Sequence, residues 1–259
     1  MSSAHLLLYE FPCNEKIRTY LRLEALFQRF DWFCAEESPV AHQAALSALF
    51  DLLDATARSD LRNELIQELE RHRQRLQVLR GNAEVNQEAL IRLLDELGAA
   101  INSVAGSVGR TGQRIRENQW LQLIRTRLTI AGGACEFDLP LLHRWMNQPA
   151  GVRQSELRGY AAALDPIRNA AKLILRLLRS NASEEHLTAQ RGTYQYPMKG
   201  GQSYALVQLR LPFDSPYIPE VSANKYMLWI RFSKPDADNR LHPVRSTDVP
   251  FTIGLCALA

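Results

Sequence analysis

Two incompatible hydrophobic periods divide this chain near Arg191. From Asn14 to about Asn181, apolar residues recur every three or four positions, the spacing of amphipathic helices. Beyond Arg191 come short runs rich in aromatic and branched residues: Tyr204–Leu211, Tyr226–Phe232 and Phe251–Leu255. Pro212, Pro216, Pro219, Pro235, Pro243 and Pro250 lie between them. Such runs predict an antiparallel sheet with irregular loops. One strand-like run, His5–Phe11, stands apart at the start and is closed by Pro12. A C-terminal sheet offers it partners for backbone groups that a lone strand leaves unpaired. The expected fold class is α+β, with an N-terminal α-helical bundle domain over residues 12–185. A smaller antiparallel β-domain covers 186–259, with strand 5–11 added to it.

Within the helical part, Asn14 predicts an N-cap and Glu15 suits the first turn of the helix dipole. Ile17, Tyr20, Leu21, Leu23, Phe27 and Phe30 then form a wide apolar face, flanked by Arg18, Arg22 and Arg29. Further helices are expected from Pro39 to Thr56, Asp60 to Leu79 and Asn86 to Val104. The leucines of the segment 60–79 fall at near-heptad spacing, which suits a long antiparallel neighbour or a dimer seam. Arg114–Leu128 reads as one basic helical segment. Gly132-Gly133 reads as a hairpin signal, Asp138 as a cap before Pro140, and Asp165-Pro166 as another helix start. In the first strand, Leu6, Leu8 and Glu10 oppose Leu7, Tyr9 and Phe11, so both faces are expected to be covered.

Charge narrows the function classes. The formal net charge is +3, and residues 191–259 hold that excess with eight Lys/Arg against five Asp/Glu. Only five of the 31 basic residues are lysine, leaving 26 arginines, which suits bidentate ion pairs and acidic partners. A near-neutral chain without a groove-reading motif does not resemble a strongly basic nucleic-acid binder. An Arg-rich nucleic-acid-binding adaptor is the alternative reading. No apolar run reaches membrane-span length, and Leu6–Leu8 is too short for a signal peptide, so a cytoplasmic protein is expected. Cys13, Cys34, Cys135 and Cys256 are scattered without metal or redox spacing, which predicts free thiols.

No catalytic constellation stands out, and neither a metal nor a cofactor is expected. Gly106-x-x-Gly109-x-x-Gly112 lacks the strand and the Gly-Lys-Ser/Thr ending of a phosphate loop, so an inter-helix loop is the better reading. Gly201-Gln202-Ser203-Tyr204-Ala205 precedes a strand and reads as a hairpin turn rather than a nucleophile elbow. The acidic pairs Glu36-Glu37 and Glu184-Glu185 read as solvated loops. Binding candidates remain. The arginines between Arg110 and Arg127 face a single local acid, Glu117, and so are not neutralised within their own segment. Alternation places Lys225, Met227, Trp229 and Arg231 on one face of a strand, a basic-aromatic surface for an apolar peptide carrying acids.

Three segments then point to one family: NEKIRTYLRLE (Asn14–Glu24), RLTIAGGACEFDLPLLHRW (Arg127–Trp145) and NKYMLWIRF (Asn224–Phe232). In order and spacing they resemble the ZapD family of bacterial cell-division proteins. That resemblance implies a cytoplasmic, non-enzymatic homodimer recruited to the midcell division ring. It implies binding to the C-terminal tail of the division GTPase FtsZ, bundling of FtsZ protofilaments, promotion of Z-ring assembly and a lowered GTPase rate. Neither direct membrane binding nor a nucleic-acid partner is expected. The matching positions are Arg18 and Arg22 on the basic helix and His143 after the F-D-L-P segment. Lys225 and Arg231 match on the strand, with Trp229 between them. Gln119 and Met227 stand where family members carry arginine, leaving positive charge thinner there or supplied by Arg116 and Lys234. The loop Lys234–Asp248 is longer than the family pattern.

Overall fold

Pro12 ends one element and Asn14 starts the next: the Asn14 Oδ1 accepts the Ile17 N–H at 2.9 Å, capping a helix of 21 residues. These are β1 (Leu6–Pro12) and α1 (Glu15–Ala35) of a computed structural model that describes residues 6–107, 111–197, 204–224 and 226–257. The helices that follow are α2 (Pro39–Ala55), α3 (Leu61–Gln77), α4 (Gln87–Gly106), α5 (Gln113–Glu117) and α6 (Gln119–Leu128). After them come α7 (Pro140–Met146), α8 (Ala150–Ala161) and α9 (Asp165–Ser180). The strands are β2 (Ala182–Ala189), β3 (Thr193–Pro197), β4 (Tyr204–Pro212) and β5 (Ile218–Ala223). β6 (Met227–Pro235), β7 (Leu241–Pro243) and β8 (Val249–Ala257) complete an α+β fold.

Two units share the chain: Thr19–Ile174, and Met1–Arg18 with Leu175–Ala259. In the helical unit, Tyr20, Leu23, Phe27 and Phe30 of α1 are buried, as are Leu46, Leu49, Leu52 and Leu53 of α2. Leu61, Leu65 and Leu69 of the near-heptad series are buried too, and α3 packs against α4. Several local readings are corrected. Asn118 accepts the Leu121 N–H at 3.1 Å and so splits the expected segment Arg114–Leu128 into α5 and α6. Gly132-Gly133 forms no hairpin; it lies in a run of turns after α6, with Gly132 at φ +73°. Asp138 does not cap α7, whose N-cap is Leu139; its carboxylate faces Arg127 at 3.5 Å instead.

The second unit is a β-sandwich. One sheet runs in the order β1-β4-β8-β2; the other is β3-β6-β5, with β7 also pairing β6. The facing positions follow the two-residue period: Val207, Leu209 and Leu211 of β4, Ile253 and Leu255 of β8, and Leu228, Ile230 and Phe232 of β6 are buried together. The Phe232 and Phe251 rings lie 5.3 Å apart across this core. β1 pairs antiparallel with β4 from Leu6↔Pro212 to Pro12↔Leu206. Its first half departs from expectation. Tyr9 and Phe11 pack on the core, but Leu6, Leu7 and Leu8 are exposed, because an edge strand's outer end has nothing over it.

Glu184 and Glu185, expected in a loop, lie on β2. Glu184 ends a chain of polar contacts on the first sheet. The Arg179 fork grips Glu10 (2.9 and 2.6 Å), Gln208 donates to Glu10 (2.8 Å), Arg210 donates to Gln208 (3.0 Å), and Arg210 meets Glu184 at 2.8 Å. Burial pushes the Glu10 carboxyl up, but the Arg179 and Gln208 hydrogen bonds outweigh it and hold the group below its ordinary value. The folded state therefore binds fewer protons than the unfolded one. Its stabilisation is complete above the ordinary pKa of 4.5 and is lost as pH falls below it. Urea midpoints are expected to drop on acidification through that range and to drop less steeply in Glu10→Gln. Equal slopes in the two proteins would contradict the assignment.

Candidate functional site

β6 decides which side chains the second sheet shows to solvent. Its Leu228, Ile230 and Phe232 fill the core, so Met227, Trp229 and Arg231 turn outward. Pairing supplies their neighbours. Arg231 stands in register with Thr193 of β3 and Glu220 of β5; Trp229 stands in register with Gln195 and Ser222. All six side chains are exposed and line one groove of about 400 Å3. Trp229 keeps 39 % of its surface exposed, a large apolar area held beside a guanidinium. Neither residue has a hydrogen bond to its side chain or an ion pair among the described residues. Asn224 fixes the turn into this strand, accepting the Tyr226 and Met227 N–H groups at 2.8 and 2.9 Å. Tyr226 is left 68 % exposed at the tip. Lys225 lies outside the described residues.

The other expected residues occupy two further local settings. Arg18 and Arg22 sit one turn apart on the exposed face of α1, where Arg18 meets Glu15 at 3.2 Å. Arg29, on the same flank, is engaged by Asp51. His143 lies exposed on α7, its Nδ1 3.6 Å from a Glu136 carboxylate oxygen. The segment before it folds as turns, with the Asp138 and Leu139 N–H groups both donating to the Cys135 carbonyl. Leu139, Leu142 and Trp145 anchor this region by burial, while Phe137 is 80 % exposed.

The arginine-rich stretch behaves differently from its sequence reading. Arg125 reaches Asp54 at 2.5 Å, Arg127 faces Asp138 at 3.5 Å, and Arg116 donates to the Leu53 carbonyl at 2.7 Å. Acids and a carbonyl outside the segment therefore hold much of a cluster that has one acid of its own. Arg116, put forward to replace a missing positive charge, is thus committed to the fold. Lys234 is exposed at the end of β6. The long loop after it carries β7, and Asp236 within it is hydrogen-bonded by His242 at 2.7 Å.

The glycine series offers no phosphate cradle among the described residues. Gly106 ends α4, and Gly112, at φ +68°, precedes α5 against Leu53. Gly109 and Arg110 lie outside the described residues, as do Gly201, Gln202 and Ser203. An aromatic group that the sequence reading missed lies beside α7. Trp120 contacts Trp145 edge-on at 5.7 Å and Tyr160 at 6.0 Å, and the Trp145 indole donates to Glu156 at 2.7 Å. Its members come from three helices, so no local spacing announces it.

Comparison with known proteins gives concordant matches. A family profile described as ZapD, cell division protein, matches residues 21–231. The Cell division protein ZapD of Ralstonia pickettii (strain 12J) is 44% identical over 252 residues, covering 97% of this chain and 99% of that protein. The protein of the same name from Ralstonia nicotianae (strain ATCC BAA-1114 / GMI1000) is 45% identical over 252 residues, with the same coverage.

Proposed function

Because the chain belongs to the ZapD family of cell division proteins, it takes part in cell division, and we propose that it does so without enzymatic turnover, as a cross-linker of FtsZ filaments. In this reading each subunit of a homodimer captures the C-terminal tail of an FtsZ molecule. Bundled protofilaments then promote Z-ring assembly at midcell, on the cytoplasmic side, and hydrolyse GTP more slowly. The observation that carries the proposal is the outer face of β6, where Trp229 and Arg231 present an aromatic surface and a guanidinium to one groove. A short peptide with apolar and acidic residues suits that pairing. Arg18, Arg22, His143 and Lys225 are the further contacts proposed for the tail.

A single contact of micromolar strength corresponds to about −8 kcal/mol. Two such sites on one dimer, meeting a filament that repeats its tails, gain roughly 10²–10⁴ through avidity. Titration of the purified protein with a synthetic FtsZ C-terminal peptide tests the proposal directly, and FtsZ lacking its tail is expected to escape bundling. Bundling by tail-deleted FtsZ would move the contact to the globular domain.

Salt provides an independent check. Exposed charges are screened over ~8 Å at physiological ionic strength and over longer distances at low salt. Sedimentation of FtsZ bundles is therefore expected to fall steadily as salt rises; salt-independent bundling would remove the electrostatic basis. The nucleic-acid alternative is weakened by the commitment of Arg116, Arg125 and Arg127 to contacts within the chain. No helix among the described residues is long and apolar enough to cross a membrane.

A further inference from the structure

The groove on the second sheet carries an acid as well as a base, and the two stand on adjacent strands. Glu220 of β5 is directly in register with Arg231 of β6. Side chains at such positions leave the backbone roughly 5 Å apart on the same face. An opposite-charge pair so placed ordinarily closes on itself. Here it does not: both residues are exposed, both line the groove, and neither has an ion pair among the described residues. Among the described residues that line it, the rest of the groove is uncharged, with Thr193, Gln195 and Ser222 at the remaining outward register positions and Trp229 in the adjoining row. A surface built only to attract acids has no use for a carboxylate at that position, since like charges repel an acidic ligand and expel polyanions.

We infer that Glu220 sets the specificity of this groove, selecting an extended peptide that carries an acid and a base two residues apart, with an aliphatic residue close by. The acid pairs with Arg231, the base with Glu220, and the aliphatic residue covers the Trp229 ring. In an extended peptide the side chains at i and i+2 point the same way about 6.8 Å apart. The flexible Arg231 and Glu220 side chains, rooted roughly 5 Å apart, span that separation. The Trp229 row lies two residues along β6 from the Arg231 row, so an aliphatic neighbour of the charged pair reaches the indole. Charge complementarity thus commits the groove to a peptide of mixed charge.

This inference rests on the reading of the β6 face as a peptide-binding surface, and its test separates the two. Blocked, fluorescently labelled decapeptides centred on Leu-Gly-Asp-Ala-Lys and on Leu-Gly-Asp-Ala-Glu are titrated with the full chain by anisotropy. The wild-type protein is expected to favour the mixed-charge peptide by about tenfold, the scale of one charge contact. Glu220→Gln is expected to bring the two affinities within about twofold, and Glu220→Lys to reverse the preference. Equal binding of both peptides by the wild type, or a preference that survives Glu220→Gln, overturns the inference. Arg231→Glu is the control: if it weakens neither peptide, the reading of the face itself fails. Both substituted side chains are exposed, and unchanged thermal unfolding shows that the comparison concerns binding.

Discussion

Replacing Arg153 by alanine is expected to destabilise the helical unit by about 3–5 kcal/mol, the scale seen when a buried, hydrogen-bonded charge site loses one partner. Arg153, on α8, is 3 % exposed. Its Nε donates to His42 Nδ1 at 2.8 Å, and its terminal nitrogens donate to the carbonyls of Met146 (2.8 Å), Gln148 and Glu37 (2.6 Å). Those carbonyls follow or close the C-terminal ends of α1 and α7, where helices leave acceptors unsatisfied and the dipole favours a cation. Alanine would leave three carbonyls and an imidazole nitrogen facing a cavity. Lysine is expected to recover only part of the loss, because a point charge cannot reproduce the planar fork.

Equilibrium urea unfolding of the wild type, Arg153→Ala and Arg153→Lys checks this ranking. His42 adds a pH signature. Its Nε2 lies 2.7 Å from the Glu36 carbonyl, so Nε2 carries the proton and Nδ1 accepts from Arg153. Burial, with the neighbouring guanidinium, pushes the imidazole below its ordinary pKa of 6.5. The folded state then binds fewer protons, and stability is expected to fall as pH drops below 6.5. An alanine variant within 1 kcal/mol of wild type, a margin typical of exposed positions, would show that these bonds are dispensable.

Charge reversal at Arg22 and Arg231 together is expected to weaken capture of the FtsZ tail by at least about 100-fold. In the proposed complex each reversal removes an attractive contact and adds a repulsive one, and like-charge juxtaposition costs several kcal/mol at an interface. Arg231→Glu alone is expected to account for the larger share, because it also inverts the charge beside Trp229. Filament bundling is expected to suffer more than peptide binding, since avidity multiplies any loss at the individual site. Peptide titration measures the first effect and sedimentation of FtsZ polymers the second. Bundling that persisted in the double variant would place the filament contact elsewhere on the chain.

Legibility in the sequence followed the locality of the physics. Asn14 and Asn86 announce helix starts because an N-cap acts on a backbone N–H three residues away. β4, β6 and β8 are legible as short runs of branched and aromatic residues, because such side chains fill a sandwich core. β2 escaped because ASEEHLTA is an edge strand whose polar side chains face solvent, the Arg210 network or the Tyr196 hydroxyl, leaving no apolar alternation. The 12-residue α8 escaped because one of its buried positions is an arginine. The basic cluster at 114–127 reads as unneutralised because Asp54, the acid that meets Arg125, lies 71 residues away.

By itself, the sequence determined the α+β class, the caps at Asn14 and Asn86, the outward face of β6 and the resemblance to ZapD proteins. Each depends on short-range geometry or on residue identity at matched positions. Tertiary structure decided which charges are available. It committed Arg116, Arg125 and Arg153 to partners remote in sequence, and it set Glu220 beside Arg231 across two strands. Whether a charged side chain serves the fold or faces a partner depends on distances of a few ångströms between segments. Strand register and helix packing fix those distances, and sequence spacing does not.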